Sequence, residues 1–152
     1  MKARTLLLCA LLIGGLTMLS GCTTPPAGEA AQVRAVPLPN THWRLTQLGS
    51  ELIDSPPGER DVHFVLHEQN SHVSGHSGCN QMFGRFSQSG DTIKFDQMGG
   101  TRMFCEARME LERKVLAMFA AVTRWRIAGA TLELLDASGA VIGTFTAAPA
   151  TG

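Results

Sequence analysis

The sequence predicts an α+β fold: a curved, largely antiparallel sheet of about eight short strands, barrel-like in its curl, with one amphipathic helix inserted after the fifth strand. Short apolar runs alternate with polar residues and are separated by turn residues, as half-buried strands require. Only residues 106–122 change to a helical period. Because strands and helices do not alternate, a nucleotide-binding α/β fold is disfavoured.

The first five strands are short runs bounded by turn residues. Alternation is clearest in Val62, Phe64 and Leu66, whose side chains would share one buried face. The segments SELIDSPPGE and QSGD mark two of the breaks. The predicted strands cover residues 42–48, 61–67, 71–77, 81–87 and 92–98.

The helix is predicted from four apolar residues at intervals of four, three and four: Leu111, Val115, Met118 and Val122. Charged residues occupy the other positions, so one face would pack against the sheet. Three further strands are predicted over residues 124–129, 131–136 and 140–147. The segment DASG makes a hairpin turn between the last two.

The start of the chain has the three parts of a secretory signal. Lys2 and Arg4 precede an apolar run of about 14 residues, and the small residues Ser20 and Gly21 follow it. A bilayer needs roughly 20 apolar helical residues, so this run is too short for a permanent transmembrane helix. Residues 1–21 are therefore predicted to be a signal peptide.

The sequence LSGC, which ends at Cys22, resembles a bacterial lipobox. The resemblance implies cleavage before Cys22 and lipidation of that cysteine, which would anchor the protein in a membrane. Thr23, rather than Asp, follows it, and in the Gram-negative sorting pattern this implies the outer membrane, facing the periplasm. The alternative is a plain secretory signal cut near a chance cysteine.

The rest of the chain divides into a tether, one domain and a tail. Residues 22–41 are rich in Pro, Ala and small polar residues and are predicted to be a flexible tether. Residues 42–146 suffice for one modest core, and residues 147–152 form the tail. Without the signal the chain has 11 basic and 13 acidic residues and no basic stripe, which disfavours nucleic acid as a partner. The expected state is a monomer.

The segment VSGHSGCNQMFGRF at 73–86, together with MGGTRMFC at 98–105, resembles the META domain, also called the HslJ-like domain. The match extends over nearly all of residues 42–146, although Phe86 and Phe104 stand where the family often has Tyr and Ala. The resemblance implies an α+β domain of bacterial envelope lipoproteins, associated with stress tolerance, motility or virulence, with no established biochemical activity. The residues of this chain that match the family motif include Gly78, Asn80, Thr101 and Arg102.

Cys79 and Cys105 are the cysteines that remain once Cys9 leaves with the signal and Cys22 is lipidated. Exported proteins meet an oxidising compartment in which disulfides persist. A disulfide between the two would close a loop of about 26 residues and contribute roughly 3.5 kcal/mol. The alternatives are a close but reduced pair and a Cys79 nucleophile with a histidine base.

The segment GHSGC at 75–79 is one residue short of the nucleophile elbow of serine hydrolases. Cys79 stands where that motif needs its second glycine, and the segment joins two strands rather than a strand and a helix. No acid-base partner is placed for Ser77. The sequence therefore disfavours a hydrolase, and no catalytic residue is predicted.

The polar residues of the family motif have structural uses. Asn80 follows a glycine, tolerates positive φ and can bond to its own backbone, and Thr101 can cap the turn that leads into the helix. Arg102 can pair with a helix acid such as Glu106, or present a fixed charge to a partner.

Four histidines fall on one predicted hairpin, which turns at Gln69-Asn70 and places its apolar side chains on the opposite face. The opposed pairs are His63 with His76, and His67 with His72. Opposed Cβ atoms lie about 5 Å apart, so each pair could hold one Zn²⁺, Cu²⁺ or Ni²⁺, but the two rungs are about 13 Å apart. The alternative is a solvated strand face, because stable zinc sites usually need three or four protein ligands. The META resemblance does not require histidine at these positions.

The sequence therefore predicts a lipid-anchored, non-enzymatic envelope protein that acts in stress tolerance or as a partner-binding module. Two alternatives are a periplasmic metal-binding protein that uses the paired histidines and an inhibitor of a secreted hydrolase. No cofactor is expected unless the histidines bind metal.

Overall fold

Nine strands and one helix form the part of the chain that the computed structural model describes, residues 35–55 and 59–149. The predicted signal peptide, Cys22 and most of the predicted tether lie outside these residues. The strands are β1 His42–Leu48, β2 Glu51–Leu52, β3 His63–His67, β4 His72–His76, β5 Gln81–Ser89, β6 Thr92–Gly100, β7 Arg124–Ala128, β8 Thr131–Leu135 and β9 Val141–Ala148. The helix α1, Met109–Ala121, lies between β6 and β7 in the chain.

The strand pairs are antiparallel and follow the order β2-β1-β3-β4-β5-β6-β7-β8-β9. A further pairing of β1 with β9 closes the sheet into a ring. β6 precedes the helix in the chain and β7 follows it. These two strands pair at a single position, Thr92 with Arg124. The predicted antiparallel sheet with one helix is confirmed, in a domain that is mostly β.

Residues 35–55 and 59–149 contain nine strands rather than the predicted eight or so, and the helix follows the sixth strand and not the fifth. The additional strand is β2, which lies in the segment predicted to be a break and pairs with the end of β1. Its two residues, Glu51 and Leu52, are both exposed. Two exposed residues show no alternation from which a strand could be predicted.

The core is shared by the sheet and the helix. Phe64 on β3 meets Phe95, Phe119 and Phe145 edge-on, with ring centres 6.1, 5.5 and 4.9 Å apart. Edge-to-face contacts of this kind add to the stabilisation from burial itself. The buried face of α1 consists of Val115, Met118 and Phe119. Residues 106–108, predicted as helix, form a turn instead.

The folded region extends beyond residues 42–146 at both ends. Leu38 is buried in the core, and its carbonyl accepts a hydrogen bond from the Trp43 indole at 2.9 Å. The backbone N–H of Val36 donates to the Gly129 carbonyl at 3.0 Å, and β9 continues to Ala148. The last residues of the predicted tether therefore belong to the domain. Among the described residues, no helix has both the length and the apolar character needed to cross a membrane.

Candidate functional site

The turn between β4 and β5 is fixed to the helix by the carboxylate of Glu112. This carboxylate accepts hydrogen bonds from the Ser77 hydroxyl and from the backbone N–H of Asn80, each at 2.9 Å. Gly78, at φ 118°, supplies a left-handed backbone conformation that favours glycine. Ser77 is only 1% exposed, so its hydroxyl is a buried structural donor to which a substrate has no access.

The loop of residues 101–108, which connects β6 to α1, is fixed to the same turn by the Asn80 side chain. Its Oδ1 accepts from the backbone N–H of Met103 at 2.7 Å and from the Thr101 hydroxyl at 2.8 Å. Its Nδ2 donates to the Met103 carbonyl at 3.1 Å. One buried amide therefore joins the turn, the loop and, through Glu112, the helix.

These contacts differ from the predicted roles of Asn80 and Thr101. The Asn80 side chain bonds to other segments rather than to its own backbone, and its φ is not positive. Thr101 accepts from the backbone N–H of Gln81 at 3.2 Å, whereas the helix N-cap, Arg108, has no side-chain cap. Partners distant in sequence replace the local ones because the fold brings the turn and the loop together.

Cys79 and Cys105 are joined by a disulfide, with their Cα atoms 5.7 Å apart. This bond attaches the 101–108 loop to the turn a second time. A third attachment is the ion pair between Arg108, at the end of the loop, and Glu59. A sulfur held in a disulfide is not a thiolate nucleophile, so Cys79 has a structural role in this state.

Apolar side chains are exposed on the attached loop. Met103 is 63% exposed and Phe104 is 80% exposed, and Phe83 on β5 is 55% exposed. Arg102, next to them, is exposed and forms no ion pair with any described residue. The loop therefore presents a cation and two large apolar groups on a backbone that three attachments hold in place.

Three shallow depressions share Arg60 and His76 in their lining, and residues of this loop line two of them. Their volumes are about 380, 330 and 410 Å³. The first includes Thr101 and Met103, and the second includes Phe83. The loop, the turn and the outer face of β3 to β5 thus form one continuous surface.

The predicted histidine hairpin has the predicted register. His63 lies opposite His76, and His67 lies opposite His72. The rings of the first pair are nearly parallel, with centres 6.5 Å apart. In the second pair, the ring of His67 instead bonds to the Ser74 hydroxyl at 2.7 Å. The apolar side chains of the opposite face are buried as predicted: Val62, Phe64, Leu66 and Val73.

A family model described as META domain matches residues 36–149, which is most of the chain. The chain belongs to the META domain family. The matched region begins at Val36, the residue at which the structure also begins to bond to the sheet. The META domain of this chain therefore includes the short segment before β1.

Two solved structures share the fold. One is an NMR structure of a protein from Burkholderia xenovorans, with a TM-score of 0.59 and 24% sequence identity over 73% of this chain and 83% of that one. The second, another NMR structure, has a TM-score of 0.57 and 20% identity over 72% of this chain and 91% of that one. No curated protein matches the sequence. These likenesses establish the fold and carry no activity.

His42 on β1, the fifth histidine of this META domain, stacks beside the predicted pair His63 and His76, and sequence reasoning missed this position. Its ring stacks on His63 with centres 4.1 Å apart, so His42, His63 and His76 form a row across three neighbouring strands. β1 and β3 are not consecutive in the chain, and sequence reasoning had not paired them. No local signal could therefore place His42 beside the hairpin.

The stacked row does not form a chelate as it stands. Imidazole nitrogens bind metal in the plane of the ring, and parallel stacked rings direct those lone pairs alongside one another rather than at one point. His63 also bonds through Nδ1 to the Asp61 carbonyl at 2.9 Å. Within residues 35–55 and 59–149, no group of three or more His, Cys, Asp or Glu side chains is placed to hold a metal ion.

Burial and neighbouring charges lower the pKa values of two histidines in the row, His42 and His76. Burial is the main cause that lowers the pKa of His42 below 6.5; the charge of His63 adds to the shift, and Asp61 opposes it. Burial likewise lowers the pKa of His76, with further contributions from His63 and Arg60 and opposition from Glu112. Nε2 of His42 is buried without a hydrogen-bond partner among the described residues. Both rings therefore favour the neutral form in the folded domain.

Proposed function

We propose that this chain is a lipid-anchored, non-enzymatic protein of the bacterial envelope whose META domain binds a protein partner through the 101–108 loop. The observation that carries the proposal is the exposure of Met103 and Phe104 on a loop held by the disulfide, by Asn80 and by the Arg108–Glu59 ion pair. Large apolar groups with this exposure gain free energy when a partner removes them from water.

A loop that is already ordered loses little conformational entropy on binding. Each mobile side chain that a partner must immobilise costs about 0.5–1.5 kcal/mol, and a mobile backbone costs more. Aromatic residues and Met are enriched in protein interfaces, whereas an exposed Phe on a rigid loop has no use in the core. The attachments of the loop therefore support a recognition role better than a purely structural one.

The anchor and the cellular role rest on sequence patterns. Lipidation at Cys22 is supported by the lipobox resemblance, and a lipid there would hold the domain at the outer membrane through the segment that precedes Val36. A role in envelope stress tolerance is supported by membership of the META domain family. If the partner is a secreted hydrolase, the same loop would make the domain its inhibitor.

Site-specific photo-crosslinking tests the binding surface. The full chain would carry a photoreactive amino acid in place of Phe104 or, as a matched control, in place of Leu52, which is equally exposed at 80% but lies on β2. We expect an envelope protein to be captured at position 104 and not at position 52. The captured protein, once purified, should bind the wild-type chain in solution.

The double variant M103S/F104S provides the second half of the test. Both side chains are exposed, so the variant should keep the wild-type melting temperature while binding of the captured protein weakens at least about tenfold. The same proteins captured at both positions, or unchanged affinity in the double variant, would refute the role of the loop. Inhibition of the captured protein, if it is a hydrolase, would identify the inhibitor form of the function.

A further inference from the structure

The depression beside β3, β4 and β5 combines hydrogen-bond donors with an apolar wall. Its volume is about 330 Å³. Its polar lining includes Arg60, His63, His76 and Gln81, and the exposed ring of Phe83 lies in the same lining. None of the described residues that line it is an Asp or a Glu. The adjoining depression of about 380 Å³ shares Arg60, His76 and Gln81 and likewise has no carboxylate among its described lining residues.

The positive charge in this depression has no internal counterion. Arg60 is exposed and pairs with no carboxylate of the described residues, although its neighbour Glu59 pairs with Arg108. The charge of Glu112, on the helix side, opposes the lowering of the His76 pKa. The Glu112 oxygens already accept hydrogen bonds from Ser77 and Asn80, however. His63 on β3 stacks against His76. The nearby carboxylate of Asp61 acts electrostatically on His42, at the far end of the row, where it opposes the lowering of the pKa.

We propose that this depression binds a carboxylate group, held by the guanidinium of Arg60 beside His63 and His76, with Phe83 in contact with the apolar part of the ligand. The planar fork of an arginine matches a carboxylate and forms two parallel charge-assisted hydrogen bonds with it. One cation suits a ligand group of charge −1. A phosphate monoester has a charge near −2, which calls for more positive charge than a single arginine supplies.

Two kinds of ligand carry such a carboxylate: a small free acid, and a peptide segment with an Asp or Glu side chain. The inference does not depend on the proposed function, because neither Met103 nor Phe104 lines this depression. The double variant M103S/F104S should therefore retain carboxylate binding even if the loop binds no partner.

The test follows the ring resonances of His63 and His76 by NMR in the full chain during titration. The probes are sodium acetate, sodium phosphate, the blocked dipeptide Phe-Asp and its matched control Phe-Asn. We expect acetate and Phe-Asp to shift both resonances saturably, and Phe-Asp to bind more tightly because Phe83 contacts its ring. Replacing Arg60 by Gln should weaken both at least about tenfold. The control R85Q removes an exposed arginine from the neighbouring β5 surface and should leave the affinities unchanged.

The outcomes separate clearly. Acetate binding without Phe-Asp binding would support the site and identify a small free acid as the source; binding of both, with Phe-Asn inactive, would point to a peptide side chain. Equal affinity for Phe-Asp and Phe-Asn would overturn the proposal, as would tighter binding of phosphate than of acetate. So would an absence of saturation with every probe, or equal weakening in R60Q and R85Q.

Discussion

Asn80 and Glu112 stand 32 positions apart, and the Glu112 carboxylate accepts hydrogen bonds from both the backbone N–H and the side-chain amide of Asn80. The same carboxylate accepts from Ser77, so three donors in one turn share one acceptor group on the helix. Asn80 is 3% exposed and Ser77 is 1% exposed. Neither can readily turn to water if Glu112 is removed, and this makes Glu112 the junction between helix, turn and loop.

Replacing Glu112 by Ala should therefore lower the free energy of unfolding by about 3 kcal/mol, because it leaves the backbone N–H and one side-chain amide hydrogen of the buried Asn80 without an acceptor. Ser77 can still donate to the Asn80 carbonyl at 3.0 Å. The measurement is urea unfolding followed by circular dichroism. Glu110 lies on the same helix but is exposed, and among the described residues it pairs only with Arg113, so Glu110→Ala should have a much smaller effect on the urea midpoint. Equal losses in the two variants would contradict the junction role.

The disulfide should contribute about 3.5 kcal/mol to the stability of the domain, because it closes a loop of 26 residues in the unfolded chain. The double variant C79S/C105S should unfold at correspondingly lower urea concentration. Dithiothreitol should destabilise the wild-type chain and leave the variant unchanged, which is the control for effects of the serines. A wild-type chain whose urea midpoint does not respond to dithiothreitol would show that the bond is not a source of stability.

Local patterns in the sequence were enough to predict the histidine hairpin. A two-strand register depends on one turn, so fixing the turn at Gln69-Asn70 paired His63 with His76 correctly. The amphipathic helix was likewise predicted from the spacing of its own apolar residues. The observed helix, Met109–Ala121, differs from the predicted 106–122 by only a few residues at its ends.

Contacts between distant segments could not be predicted in this way. Glu112 was seen as part of the charged helix face, and nothing near it in sequence indicates that Asn80 lies beside it. His42 joined the histidine row only through the pairing of β1 with β3, and β2 became a strand only because β1 is there to pair with it. In each case the partner is supplied by tertiary packing between segments distant in the chain, or by strand pairing, rather than by local propensity.

Metal binding by the histidines remains a prediction that calorimetry can test. We expect Zn²⁺ and Cu²⁺ to bind the full chain no more tightly than they bind a surface pair of histidines, because the described residues provide no group of three ligands. The matched control is H63Q/H76Q. Stoichiometric, tight binding that this double variant abolishes would contradict the expectation and restore the metal-binding alternative.

The histidine row should make the domain less stable in mild acid. The pKa values of His42 and His76 are lowered from 6.5 in the folded state, mainly by burial and then by the charge of His63. As pH falls below 6.5 towards the lowered values, the unfolded chain binds protons that the folded chain does not, so the free energy of unfolding decreases. Above 6.5 both states are neutral at these rings and the contribution is fully present.

Urea unfolding at about pH 7.5 and about pH 5 measures this loss, on either side of the ordinary histidine pKa. The double variant H42Q/H76Q should lose less stability between the two conditions than the wild-type chain, because glutamine does not titrate. His72 lies on the same hairpin but outside the stacked row, so H72Q is the matched control. Carboxylates elsewhere in the domain also respond to acid, so the decisive quantity is the difference between variants. If H42Q/H76Q and H72Q lose equal stability, the buried histidines are not the source of the acid sensitivity.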